Sequence, residues 1–211
     1  MPNAMVIDLS HHNATVDFAR VRAAGVIGVV HKATQGTGFV DDKYAERRKP
    51  AEDAGLLWGA YHFGTGDDVD RQVSHFLDTV NPVGSAVLVL DFEKNTTPPF
   101  NSMSLDQAKK FLTAVENQTG QKPVLYTGSF LTDTCGSAAI PDLASYRVWW
   151  ARYASTPHLH ATWPNFWLWQ YSDGVNGPDV KSVDGVGSCD CETHSGDEAA
   201  LRASWTGVPA V

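Results

Sequence analysis

The sequence predicts an α/β barrel: one sheet of eight strands closed on itself, with a helix after each of the first five strands and none of useful length between the last three. Three observations predict it. Short valine-rich runs alternate with helix-length amphipathic stretches up to about residue 135, giving five strand-then-helix units. The runs are apolar on both faces, as in a parallel sheet covered by helices. From residue 145 the rhythm changes to strand-like runs in succession. Eight strands favour closure over an open, doubly wound sheet, and with no Pro/Gly/Ser-rich linker or low-complexity segment residues 1–211 are expected to form a single domain.

Each element has its own signal. MVIDLS (5–10) reads as the first strand, followed by a helical VDFARVRAAG that stops at Gly25. VIGVVHKAT (26–34) precedes DDKYAERRKPAEDAG, which ends at Gly55 and carries Pro50 inside it; an interior proline removes a hydrogen bond and clashes one turn back, so this helix is expected to kink or split. LLWGAYHFG (56–64) precedes DDVDRQVSHFLDTV, and AVLVLDFE (86–93) precedes SLDQAKKFLTAVENQTG, with a serine cap at its start and Gly120 at its end. PVLYTG (123–128) and SFLTDTC complete the five units. YRVWWARY, FWLWQYSDG and the region near GSCDCE supply three further strands, and DEAALRASW (197–205) closes the chain as a helix.

Composition removes several function classes. The net charge of −8 arises from 16 basic and 24 acidic residues, and the longest basic cluster is the short ERRK at 46–49, so nucleic acid lacks its electrostatic footprint. No apolar run approaches the roughly 20 residues of a membrane span, which argues against membrane insertion. MPNAMVIDLS has neither the basic start nor the apolar core of a secretory leader, so the chain is expected to be mature or to leave the cell without a cleaved leader. Cys135, Cys189 and Cys191 do not fix the redox compartment. CDCETH places two thiols and His194 close together, but structural zinc ligands usually pair as CxxC or HxxxH, and adjacent His11 and His12 would point apart on a strand; no metal site is expected. Free buried thiols are expected ahead of a Cys135 disulfide. His158 and His160, in a Pro-bounded loop, are expected to face solvent.

The chemistry lies at the C-terminal ends of the strands. Asp8 and Ser10, His31 and Lys32, Tyr61 and His62, Asp91 and Glu93, Tyr126, Trp150 and Tyr153, Gln170 and Tyr171, and Asp190 end successive apolar runs. In a closed barrel that rim is where active sites are built. Asp91 and Glu93 are two apart, so on a strand they share a face with Val87 and Val89. Two like charges side by side should raise at least one pKa unless a cation intervenes, and a pair divided that way offers an acid and an anion at one pH, as glycosidic cleavage requires. An isolated DxE is more often a solvated strand end. Here, however, Trp149, Trp150, Trp163, Trp167 and Trp169 fall close together beside Tyr146, Tyr153, Phe166 and Tyr171. Some are core, but alternation should bring others to the rim, and aromatic faces with a few carboxylates suit sugar rings.

With IDLSHHN near the start, GAYHF at 59–63, LDFE at 90–93, LYTG at 125–128, WWARY at 149–153, WQY at 169–171 and an aspartate in the last strand, the chain resembles the family 25 glycoside hydrolases, lysozymes of the Chalaropsis type. The resemblance covers nearly the whole length and implies a modified TIM-like (β/α)5(β)3 barrel. It implies hydrolysis of the β-1,4 bond between N-acetylmuramic acid and N-acetylglucosamine, with peptidoglycan glycan strands as partner and no cofactor or metal. By position Glu93 would be the general acid, Asp91 would lie near the 2-acetamido group, and Asp8 and Asp190 would complete an acidic ring. Tyr61, Tyr126, Trp150 and Gln170 would bind substrate or support the site. Such an enzyme would work as a monomer, outside the cell or at the cell wall, after secretion or release by phage lysis.

Three mechanisms remain open at this stage. Residues two apart start about 6.5–7 Å apart at Cα by strand rise, a separation rotamers can turn toward retaining or inverting geometry. A third route uses the substrate acetamide as nucleophile with Asp91 orienting it, and is favoured. The last strand departs from the family pattern, in which asparagine follows two residues after the aspartate; here Glu192 stands there and either adds a charge to the rim or turns outward. Two other functions fit the pattern less well. A chitinase-like hydrolase usually carries further acids where Leu88 and Val89 stand, and an inactive wall-sugar-binding barrel has no need of an ionisable pair.

Overall fold

The computed structural model describes residues 4–178 and 180–206. Eight strands form the barrel: β1 (Val6–Leu9), β2 (Gly28–Gln35), β3 (Leu57–Phe63), β4 (Val87–Asp91), β5 (Val124–Thr127), β6 (Val148–Ala151), β7 (Leu168–Ser172) and β8 (Asp190–His194). They pair in chain order, and β1 pairs with both β2 and β8, closing the ring. Helices α1 (Phe18–Ala23), α2 (Tyr44–Asp53), α3 (Val69–Val80), α4 (Leu105–Thr119) and α5 (Ser129–Cys135) follow the first five strands, and α6 (Glu198–Ser204) follows β8. This is the (β/α)5(β)3 arrangement expected.

The sheet is not wholly parallel. β8 runs antiparallel to both β7 and β1. The cause is its connection: between β7 and β8 the chain makes a small ribbon, Ser182–Val183 against Gly187–Ser188, rather than the long crossover that a parallel neighbour requires. β8 also carries a bulge between Cys191 and Glu192. Such an irregularity re-aims side chains near a barrel rim.

Side-chain alternation divides the core in two. Val6, Val30, Val87, Val89, Val124 and Trp149 form an inner cluster that includes nothing from α1 to α5, so it fills the barrel. Ile7, Leu9, Val29, Leu88, Leu90 and Leu125 belong to the outer cluster, packed against Val21, Val73, Phe76, Phe111 and Leu112 of the helices. Burial of each such side chain stabilises the fold by about 1.5–3 kcal/mol. The lower end of the barrel is plugged by Trp167 with Leu201 and Trp205 of the terminal segment. Trp205 donates its indole N–H to Trp58 O at 2.8 Å, and Gly28 leaves room for it: a Cβ there would lie 2.6 Å from the Trp205 ring.

Helices α1, α3, α4 and α6 start at side-chain caps. Asp17, Asp68 and Asp197 accept backbone N–H bonds at the starts of α1, α3 and α6. Ser104 and Gln107 form a reciprocal capping box on α4, which ends at Gly120 in the left-handed region (φ 72°). Pro50 does not split α2, which runs unbroken from Tyr44 to Asp53. Tertiary anchors offset the lost hydrogen bond: buried Arg47 donates to Ser10 O and to Asn13 O, and Arg48 donates to Val80 O, Pro82 O and Val83 O.

Candidate active site

The alternation that buries Val87 and Val89 inside the barrel turns Asp91 inward at the rim. Phe92 turns outward against Phe130, and Glu93 comes round to the same side as Asp91. Together with Asp8 of β1, Tyr61 of β3 and Asp190 of β8 they line a pocket of about 240 Å³. The remaining walls are Tyr126, Trp149, Tyr153, Gln170 and Asp173. Of the eight residues expected from the sequence, seven converge here. Trp150 does not: it is on the opposite face of β6, donates its indole N–H to Pro157 O at 2.9 Å, and walls an adjoining groove of about 980 Å³. Glu93, Tyr126 and Tyr153 line both cavities, so they stand at the junction.

One amide organises the floor. Gln170, only 2% exposed, accepts from the Tyr126 hydroxyl at 2.7 Å and from the Tyr153 hydroxyl at 3.0 Å. Its Nε2 donates to Asp8 Oδ2 at 2.6 Å and to Glu192 Oε1 at 3.2 Å. Two hydroxyl donors and two carboxyl acceptors leave the amide a single sensible orientation. Trp149 stands edge-on to Tyr126, ring centroids 4.8 Å apart, and so backs the same wall.

The carboxyls are all displaced upward. Burial, then Glu93, raises Asp91 well above the usual carboxylate range, with Lys32 acting against it. Burial raises Glu93 too; Lys32 opposes this and Asp190 adds to it. Asp8 is raised by burial and by Asp190, while Asp190 itself is pushed up to about 6, chiefly by burial. Repulsion within the DxE pair was expected to raise at least one pKa; at Glu93 burial is the larger cause. The intervening cation is Lys32, which points inward from β2, hydrogen-bonds Gln35 at 2.7 Å and is itself depressed by burial.

His31 and His62, counted among the rim groups, belong elsewhere. Both are fully buried beneath helices. His31 donates through Nδ1 to Lys32 O at 2.8 Å and accepts from Arg47 at 3.2 Å; burial takes its pKa down to about 4. His62 lies between Thr34 (2.7 Å) and Gln72 (3.1 Å), stacks on Phe111 at 5.0 Å, and is depressed by burial to about 3. His160 is also buried rather than solvent-facing, held by Thr162 and by Gly136 O at 2.8 Å. Glu192 turns inward, fully buried beneath Gln170. The three cysteines are free thiols, Cys189 and Cys191 buried. His11 is occupied by Asp41 (2.8 Å), and among the described residues no group of three or more His, Cys, Asp or Glu has metal-binding geometry.

Tyr153, counted among the rim groups, lines this pocket, and Lys32, counted there too, acts on its carboxyls by charge, whereas Trp149 and Asp173 line it without having been singled out by sequence. Strand register contains the signal for one of them: Trp149 lies beside Tyr126 across β5 and β6, and laterally paired residues in a parallel sheet share a face.

Known proteins resemble the chain in sequence and in fold. The model for "Glycosyl hydrolases family 25" matches residues 7–180. The autolytic lysozyme of Clostridium acetobutylicum is 30% identical over 193 residues, covering 90% of this chain and 55% of that protein, so the chain spans about half of that relative's length. Lysozyme M1 of Streptomyces globisporus is 27% identical, covering 93% and 69% of the two chains. The crystal structure of the bacterial lysozyme from Streptomyces coelicolor superposes with a TM-score of 0.80 at 26% identity over 95% of each chain. The muramidase from Acremonium alcalophilum gives 0.79 at 28% identity, covering 96% of this chain and 98% of its own. The match runs from β1 past β7 and thus takes in Asp8, Tyr61, Asp91, Glu93, Tyr126, Trp150 and Gln170; the chain belongs to glycosyl hydrolase family 25.

Proposed function

We propose that this chain hydrolyses the β-1,4 bond between N-acetylmuramic acid and N-acetylglucosamine in peptidoglycan, acting at the cell wall. The observation that carries the reading is the position of Glu93, at the point where an aromatic groove narrows into a pocket lined by carboxyls. A glycan strand lying along the groove with one sugar in the pocket puts its scissile oxygen beside that carboxyl. Burial, with Asp190 adding to it, favours a protonated form there, as a general acid requires.

Asp91 supplies the second role. Its Oδ1 is buried without a hydrogen-bond partner, an acceptor that the N–H of a 2-acetamido group would satisfy. Asp91 and Glu93 share one proton in this account, and an N–H bond to Asp91 stabilises its charged form and moves the proton to Glu93. The acetamide oxygen then attacks C1 while the leaving oxygen takes the Glu93 proton. Water, deprotonated by Glu93, opens the resulting oxazolinium ion with net retention. Asp8 and Asp190 line the floor below the developing oxocarbenium centre. Tyr61, Tyr126 and Gln170 shape the sugar pocket and Trp150 the groove. The acid and the nucleophile come from chain and substrate, so no metal or cofactor is required, and one copy holds the whole site, so a monomer suffices. Residues 1–211 are read as one catalytic domain.

Mass analysis of digested peptidoglycan tests the bond. Products ending in reducing N-acetylmuramic acid are expected; reducing N-acetylglucosamine, or release from chitin alone, would overturn the assignment. Removing the acetyl group from the muramic residue should abolish turnover. Undiminished cleavage of that substrate would make Asp91 the nucleophile instead.

A further inference from the structure

Glu192 is a buried acid that the reaction above does not use. It is 0% exposed on β8, where it pairs across the sheet with Val6 of β1 and Gln170 of β7. Its Oε1 shares the Gln170 amide with Asp8, while its Oε2 is buried and accepts from no N–H or O–H. Gln170 Nε2 lies 2.6 Å from Asp8 Oδ2 and 3.2 Å from Glu192 Oε1, so a single amide nitrogen draws the two carboxyls together where two ionised ones would repel. The titratable groups bearing most on Glu192 are Asp8 on β1 and Asp190 and Cys191 on its own strand, all of them acidic; β7 offers it only the neutral amide of Gln170.

We propose that Glu192 is a neutral, proton-donating positioning residue beneath the active site, whose carboxylic acid donates to Asp8 and, with Gln170, fixes the Asp8 carboxyl toward the pocket. Asp8 then receives two donors from below, the amide N–H and the acid O–H. Burial first, and the nearby acids second, hold Glu192 well above its ordinary value of 4.5, in keeping with the neutral form. An ionised Glu192 would instead place an uncompensated charge in the barrel and push Asp8 away from the amide.

The consequence for stability has a definite sign. A carboxyl whose folded pKa is raised stabilises the fold fully below its unfolded value near 4.5, and this contribution is lost as pH rises toward the folded value. Glu192→Gln keeps the shape and a neutral donor but has no proton to lose. The melting temperature of the wild-type protein relative to that of Glu192→Gln should therefore fall steadily as pH rises above about 4.5. The infrared C=O band of protonated carboxylic acids at neutral pH should also lose intensity in the variant. A melting difference that stays flat or rises with pH, or an unchanged band, would overturn the proposal. Neither measurement needs substrate, so both stand if the hydrolase reading fails.

A kinetic arm rests on that reading. Glu192→Leu removes the donor at similar volume and should lower kcat about tenfold with KM little changed, and Glu192→Gln should restore most of the loss. Full turnover in the leucine variant, or equal losses in both, would overturn the positioning role.

Discussion

Gln170→Leu removes the one group that ties together both sides of the site floor. Leucine fills nearly the same space, so the change is chiefly in hydrogen bonding. Asp8 loses a donor at 2.6 Å and the Tyr126 hydroxyl loses its acceptor at 2.7 Å; Asp8 is buried and Tyr126 half-buried at the pocket wall. Tyr153, 41% exposed, can find water in place of its 3.0 Å bond and contributes little. A bond to a carboxyl is worth about 1.5–3 kcal/mol and a neutral one about 0.5–1.5 kcal/mol, so the variant should be about 2–4 kcal/mol less stable. For a chain of this size that lowers the melting temperature by about 4–16 °C. Calorimetry at one fixed pH, without substrate, measures it directly. Tyr126→Phe removes only the hydroxyl and should cost about 1 kcal/mol, and the double variant should fall well short of additivity. A drop of less than about 2 °C in Gln170→Leu, or strict additivity, would show that the amide does not hold the floor together.

Other expectations follow from the same structure. Gly28→Ala would put a methyl 2.6 Å from the buried Trp205 ring and should destabilise by about 1–3 kcal/mol, seen as a lower denaturant midpoint at unchanged slope. His62, held neutral with its pKa near 3 against an ordinary 6.5, contributes stability that is complete above pH 6.5 and lost as pH falls through the folded value. Melting curves between pH 7 and 3.5 should thus show a shallower acid decline in His62→Gln than in the wild-type protein, and parallel declines would refute it. A chain of net charge −8 gains no long-range attraction to an anionic wall. Its lysis rate should hold or rise as salt is added, and a steep fall would contradict that account.

The architecture was legible because five valine-rich runs are each followed by a helix-length stretch, and Ser104 with Gly120 mark ends that the structure keeps. The DxE pair was legible because period-two alternation needs no knowledge of neighbours: Val87, Val89 and Asp91 must share a face. Absolute direction was not. In β6 both Trp149 and Trp150 are buried, one inside the barrel and one outside, and a strand covered on both faces contains no polar residue to tell them apart. The same ambiguity placed His31 and His62 at the rim, where Lys32 and Tyr61 face the site instead. Glu192 was undecided for a different reason: the bulge beside it resets the register of β8, and a bulge leaves no reliable mark in the sequence. Pro50 shows propensity yielding to tertiary anchors, those of Arg47 and Arg48.

Glu93 is the proton donor of the proposed reaction, and Glu93→Gln removes that proton. The substitution preserves size and hydrogen-bonding reach while removing the titratable proton. Lysis of intact walls and turnover of purified peptidoglycan should fall by at least about a hundredfold, the lower range for loss of a general acid. Binding of undigested glycan by the same variant should be retained. Lysis at the wild-type rate in a folded Glu93→Gln protein would show that Glu93 is not the acid.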